Sequence, residues 1–90
     1  MKNKFDYAVA PGMILKEYLN ERNITQKEFT KLTNSSERHI SRVINGKQKI
    51  NAEFALKIEK VLTDTKAEFW LALETVYRLH LLRKLKELDK

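Results

Sequence analysis

Arg38 and Arg42 stand one helical turn apart within SSERHISRVINGKQ, residues 35–48. At about 100° per residue, Ile40, Val43 and Ile44 share one narrow face of a helix there. Arg38, Ser41, Arg42 and Asn45 gather on the opposite face. A polar face turned outward by apolar anchors suits the reading of base edges. The major groove of DNA, about 12 Å wide, admits one helix, and a guanidinium matches the O6 and N7 of guanine with two hydrogen bonds. Arg38 and Arg42 are the expected base readers. Ser41 is short enough to touch a phosphate or a thymine methyl, and equally suits plain solvation. Lys47 and Lys49, just beyond, would add salt-dependent attraction to phosphates without regard to sequence. His39 falls at the margin of the buried face and reads as a packing or phosphate residue, not a base reader.

The charge points the same way. Lys and Arg number 18 against 12 acids, a net of +6. Within residues 25–49 there are six bases, Lys27, Lys31, Arg38, Arg42, Lys47 and Lys49, against Glu28 and Glu37. Positive charge concentrated on one stretch favours a polyanionic partner more than a diffuse excess would. Other classes recede. Without cysteine there are no disulfides or thiolate metal sites. His39 and His80 are far apart and lack carboxylates at ligand spacing, so neither a metal nor another cofactor is expected. No nucleophile–base pair or phosphate-cradling glycine loop stands out, so no enzyme is expected. The N-terminal residues lack a signal-peptide core and no apolar run reaches membrane-spanning length, which fits a cytoplasmic protein without a membrane partner.

The positioning elements are expected to be all-α, since only two glycines and one proline interrupt a helix-forming composition. Five helices have start signals. Pro11 sits near the first position of a helix reaching about Arg22, with Ile14, Leu15, Tyr18 and Leu19 as its apolar stripe. Thr25-Gln26-Lys27-Glu28 is a capping box for a short second helix that buries Phe29 and Leu32. Asn34 tolerates the left-handed conformation of a tight turn. Ser36 caps the third helix, and Asn45-Gly46 ends it. Asn51 caps the fourth, which turns Phe54, Ala55, Ile58, Val61 and Leu62 inward. Thr65-x-x-Glu68 forms a second capping box and starts a last helix running almost to Lys90. Residues 1–10 carry no helical pattern and make an N-terminal arm, residues 11–78 the domain, and residues 79–90 an extension.

Along the last helix the apolar face changes side. Phe69, Trp70, Ala72, Leu73, Val76 and Tyr77 share one broad face, with Glu74, Thr75 and Arg78 opposite. Beyond Arg78, Leu81, Leu82, Leu85 and Leu88 take the side that had been polar. The first half then packs on the chain's own core. The second half is expected to meet a second copy, because a leucine stripe left in water is an association site. Trp70 and Tyr77 are read as core, not as platforms for bases.

A short helix, a tight turn and a second helix with an outward polar face describe a helix-turn-helix. TQKEFTKLTNSSERHISRVINGK resembles that motif in phage-repressor-like (XRE-type) regulators: Gln26 matches the glutamine opening the first motif helix, and Ile40-Ser41-Arg42-Val43-Ile44-Asn45-Gly46-Lys47 matches the run closing the second. PGMILKEYLNERNITQ and EFWLALE are similar to the flanks of HigA-type antitoxins, so the resemblance covers roughly residues 10–78. The chain departs from that pattern in Ala10 for His, Met13 for Glu, Thr30 for Ala, Asn34-Ser35 for Gly-Val, and Ala72 and Glu74 for Asn and Gln.

The resemblance implies a five-helix domain and an antitoxin of a type II pair. Such a protein neutralises a small mRNA-cleaving toxin and represses its own operon as a dimer. It implies phosphate contacts at Gln26 and Asn45, although Asn45-Gly46 is also an ordinary helix stop. It places Glu37 in a base-contact slot, where the same carboxylate would equally serve the helix dipole. The expected DNA surface is thus Gln26, Ser36, Glu37, Arg38, Ser41, Arg42, Asn45, Lys47 and Lys49. A homodimer would read an inverted repeat with half-sites about 34–36 Å apart, or a multiple. The alternatives are a stand-alone XRE-type repressor without a toxin and, from another class, a helical interaction module whose charge is incidental.

Overall fold

The computed structural model describes residues 9–88, without the side chain of Leu88, so most of the expected N-terminal arm lies outside the described residues. Five helices follow one another: α1 (Pro11–Glu21), α2 (Gln26–Leu32), α3 (Glu37–Ile44), α4 (Ala52–Val61) and α5 (Ala67–Leu88). Among the described residues there is no strand. The all-α, five-helix expectation holds, with α5 long and unbroken across Arg78.

Local chemistry accounts for the boundaries. Pro11 occupies the start of α1, where its missing N–H costs nothing. The Thr25 capping box forms: the Glu28 N–H donates to Thr25 Oγ1 at 3.0 Å and the Thr25 N–H donates to Glu28 Oε1 at 3.0 Å. Ser36 and Asn51 cap α3 and α4 by accepting from the His39 and Phe54 N–H groups. Three helices end alike. Asn23, Asn34 and Gly46 take φ of 57°, 53° and 73°. After each, paired backbone hydrogen bonds close the last turn, as in Gly46 N–H to Val43 O and Lys47 N–H to Arg42 O.

The capping box also makes a pH prediction. The Thr25 backbone N–H, and after it the Thr25 hydroxyl, hold the Glu28 carboxyl below the ordinary glutamate value, with slight desolvation opposing. A carboxyl depressed in the folded state stabilises it above the unfolded pKa, and that contribution fades as pH falls through the folded one. Glu28→Gln keeps an acceptor for Thr25 but cannot titrate. Melting curves taken from neutral into acid pH should therefore show a shallower acid loss for the variant; an identical loss would remove Glu28 from the account.

The core joins all five helices, α2 through Phe29. Leu15, Phe29, Ala55, Ile58 and Trp70 have no exposed surface, with Leu19, Ile40, Val43 and Leu62 nearly so. Ile14, Tyr18 and Val61 are half-buried at its edge. Tyr18 meets Trp70 edge-on at 5.4 Å.

Three expectations are corrected. Leu32 is exposed, not buried. The inward row of α2 is Phe29 and Thr33, whose hydroxyl donates to the Phe29 carbonyl at 2.7 Å, and Leu32 lies a quarter-turn off it. The second capping box does not form. Thr65 is buried under Trp70, accepting the indole N–H at 2.9 Å and donating to the Leu62 carbonyl at 2.8 Å. Glu59 instead accepts the Ala67 N–H at 2.8 Å as α5 begins. Glu74 lies on the core side of α5 and not opposite it, buried with the Ile50 N–H donating to its carboxylate at 2.8 Å. The Arg78 Nε donates to its other oxygen at 2.5 Å. Paired in this way, a carboxylate can occupy an interior position that composition assigns to solvent.

The inward position of Glu74 sets the faces of the last helix. Ala67, Trp70, Glu74 and Leu81 share the inward meridian, and Leu81 is half-buried. Phe69, Ala72 and Val76, expected on the core face, are exposed, and Val76, Leu79, Leu82 and Leu85 form a different line, each three residues from the next. Such a row runs obliquely around the helix as a ridge of the i±3 type. The stripe starts at Val76, six residues before Leu82, not beyond Arg78.

Candidate nucleic-acid interface

Ile40, Val43 and Ile44 sink one side of α3 into the core, leaving 1%, 1% and 6% of their surfaces exposed. That anchoring fixes the opposite side outward, and Glu37, Arg38, Ser41, Arg42 and Asn45 are all exposed there. Arg38 makes no salt bridge to any described residue and extends from the first turn of the helix. Glu37 stands at the α3 N-terminus, where the helix dipole favours its charge. Ser36, exposed, is engaged as the cap. His39 is half-buried with its ring edge-on to Phe54 at 4.8 Å, a packing contact.

The turn between α2 and α3 brings two helix beginnings together. Gln26, Lys27 and Thr30 face Glu37 and Ser41 across a crevice of about 310 Å³. The Thr30 hydroxyl is turned back onto the Gln26 carbonyl at 2.7 Å. A threonine is thereby accommodated where the resembling family has alanine. Gln26 occupies the first position of α2, at the positive end of the helix dipole.

At the other end of α3 the side chains hold one another. The Asn45 amide donates to Ser41 Oγ at 3.3 Å. Arg42 Nε donates to Gln48 Oε1 at 3.3 Å, and Nη2 donates to the Lys47 carbonyl at 3.2 Å. Two of the five guanidinium N–H groups are thus spent on the loop after α3, leaving three for another acceptor. Lys47 and Lys49 are exposed on that loop, with Gln48 half-buried and Ile50 buried between and after them. Sequence reasoning missed Gln48, because a contact six residues away across a turn leaves no periodic signal. It missed Glu74 as well, although its i+4 spacing from Trp70 placed it on the core meridian.

A cationic, donor-rich helix face with two lysines beside it and a helix start across a crevice can bind phosphates and present donors to base edges. A family model described as helix-turn-helix matches residues 15–70. The chain belongs to the helix-turn-helix family. It is 38% identical over 69 residues to virulence-associated protein A' of Dichelobacter nodosus, covering 77% of this chain and 60% of that protein. This helix-turn-helix chain thus spans three-fifths of that relative's length. Its architecture is that of HigA-type antitoxins: a HigA-family addiction module antidote protein from Coxiella burnetii superposes with a TM-score of 0.80 at 25% identity, covering 91% of this chain and 89% of the other. A Pseudomonas aeruginosa protein solved in complex with its 18 bp operator DNA superposes with a TM-score of 0.78 at 26% identity, over 84% and 82% of the two chains. Among the described residues no helix is long and apolar enough to cross a membrane, and no three or more His, Cys, Asp or Glu side chains are grouped to hold a metal ion.

Proposed function

We propose that this chain is the antitoxin of a type II toxin–antitoxin pair, acting in the cytoplasm: as a dimer it represses its own operon, and it binds and neutralises a small toxin. The observation that carries the DNA half is the exposed polar face of α3, held outward by Ile40, Val43 and Ile44. Arg38 and Arg42 read bases, and Glu37 and Ser41 border them. Gln26, Ser36 and Asn45 contact phosphates, with Lys47 and Lys49 adding sequence-blind attraction. Support for an operator comes from the operator-bound neighbour. Support for a toxin comes from the HigA-family antidote protein, with which the helix-turn-helix chain shares its whole architecture.

A dimer is needed because one recognition helix covers too few base pairs to select a site in a genome. The ridge Val76, Leu79, Leu82 and Leu85 supports a second copy on α5, with the half-buried Leu81 beside Leu82. Covering one such leucine contributes about 2 kcal/mol. Leu82→Ala with Leu85→Ala, present in both copies, should raise the dimer dissociation constant at least on the order of a thousandfold. Sedimentation equilibrium reads this directly, and an unchanged dimer would move the interface elsewhere.

The antitoxin half is tested by co-expression with the small reading frame adjoining the gene. Growth arrest by that frame alone, relieved by this protein and accompanied by co-purification, is the expected result. A harmless or unbound product would leave a stand-alone repressor.

A further inference from the structure

Glu74 is buried, charged and far in sequence from the DNA face, yet it holds the loop that carries Lys47 and Lys49. Its carboxylate accepts the Ile50 N–H at 2.8 Å across 24 residues of chain. Ile50 is itself buried, so its amide has no water to turn to if Glu74 withdraws. The near end of the loop is fixed to α3 by Gly46 and by Arg42, which donates to the Lys47 carbonyl and the Gln48 side chain. The far end is hydrogen-bonded to α5 through Glu74, and the Ile50 side chain packs in the core. Between the two anchors, Lys47 and Lys49 are exposed while Ile50 points into the core.

We propose that Glu74 is the positioning residue that sets the Lys47 and Lys49 ammonium groups against the DNA backbone. The assignment rests on the DNA-binding reading above. Reach is the essential property: the carboxylate must span from α5 to the Ile50 amide. Its charge is a secondary matter, because Arg78 pairs with the second oxygen and keeps the negative charge from weakening the basic loop.

Two conservative variants separate reach from charge. Glu74→Asp keeps the charge and withdraws the acceptor by one methylene. Glu74→Gln keeps the reach and loses the charge, while Arg78, partly exposed, can turn its guanidinium to solvent. The full chain is titrated by fluorescence anisotropy onto operator and random duplexes of equal length over a range of salt concentrations. Each phosphate neutralised contributes about 0.9 to the slope of log affinity against log salt. Glu74→Asp should therefore have a slope shallower by about 2 per subunit and nearly 4 for the dimer, equivalent to a difference on the order of a hundredfold in salt-dependent loss between 50 and 200 mM. It should weaken operator and random duplexes by the same factor. Glu74→Gln should keep the wild-type slope. Adding Lys47→Ala and Lys49→Ala to Glu74→Asp should change the slope no further.

A wild-type slope for Glu74→Asp would overturn the proposal. So would a glutamine variant as defective as the aspartate one, or lysine effects that add in full. A simple loss of packing would lower the melting temperature without altering the slope. If the wild-type protein shows no preference for the operator, the repressor reading fails, and the random duplex still tests Glu74.

Discussion

Gly12→Ala should cost at least the roughly 3 kcal/mol that marks the upper end of ordinary overpacking. A Cβ added at Gly12 would lie 1.9 Å from the Val43 carbonyl oxygen and 2.8 Å from both the Cα and the carbonyl oxygen of Ile44. All three are backbone atoms of the recognition helix, so no side-chain rotation can relieve the clash. Either α1 moves away from α3 or the end of α3 is pushed outward. For a domain of this size, a loss of about 3 kcal/mol lowers the melting temperature by roughly 12–24 °C. Operator affinity should fall with it, since Ile44 and the adjoining Asn45 and Gly46 would shift. Thermal unfolding by circular dichroism checks the first effect, and a melting temperature within a few degrees of wild type would show that the close approach is not required.

The second large effect concerns base discrimination. Arg38→Ala should remove about 1–3 kcal/mol of operator preference per half-site, hence roughly 2–6 kcal/mol for a dimer on an inverted repeat. Binding to a random duplex should change little by comparison. Arg42→Ala should lower discrimination and also flatten the salt dependence, because its guanidinium ties down the Lys47 carbonyl and Gln48. Lys47→Ala should weaken operator and random duplexes alike. Equal losses on both duplexes for all three substitutions would mean that α3 reads charge and not bases.

The two arginines differ in a way that only the fold shows. By spacing they are equivalent, one turn apart on one face. In the structure Arg38 makes no salt bridge to a described residue, while Arg42 spends two of its N–H groups on the loop. On the proposed base-reading role, discrimination by Arg42 should depend on where the loop stands, and through it on Glu74.

Much was legible from the chain alone because it depends on short-range chemistry. Pro11, the Thr25 capping box, the Ser36 and Asn51 caps and the left-handed Asn34 and Gly46 act within a few residues of their own positions, and they set four of the five helices. The period of Ile40, Val43 and Ile44 likewise determined which side of α3 is outward, because three buried anchors leave one exposed face. Composition concentrated the positive charge beside it.

Tertiary structure decided the rest, wherever a residue's partner lies far along the chain. Thr65 has the spacing of a cap but is taken by Trp70, whose buried indole N–H requires an acceptor. Leu32 is apolar yet exposed because α2 presents only one row to the core. Glu74 reads as solvent-facing until Ile50 and Arg78 are brought to it, and with them the interior can hold its charge. That single placement redirects α5, leaving Val76, Leu79, Leu82 and Leu85 outside. The sequence by itself determined a helix-turn-helix with an outward basic face, since hydrophobic period and capping are local. Which groups hold that face in place was decided by packing between α5, α1 and the loop after α3, because a buried donor takes whichever acceptor the fold brings within reach.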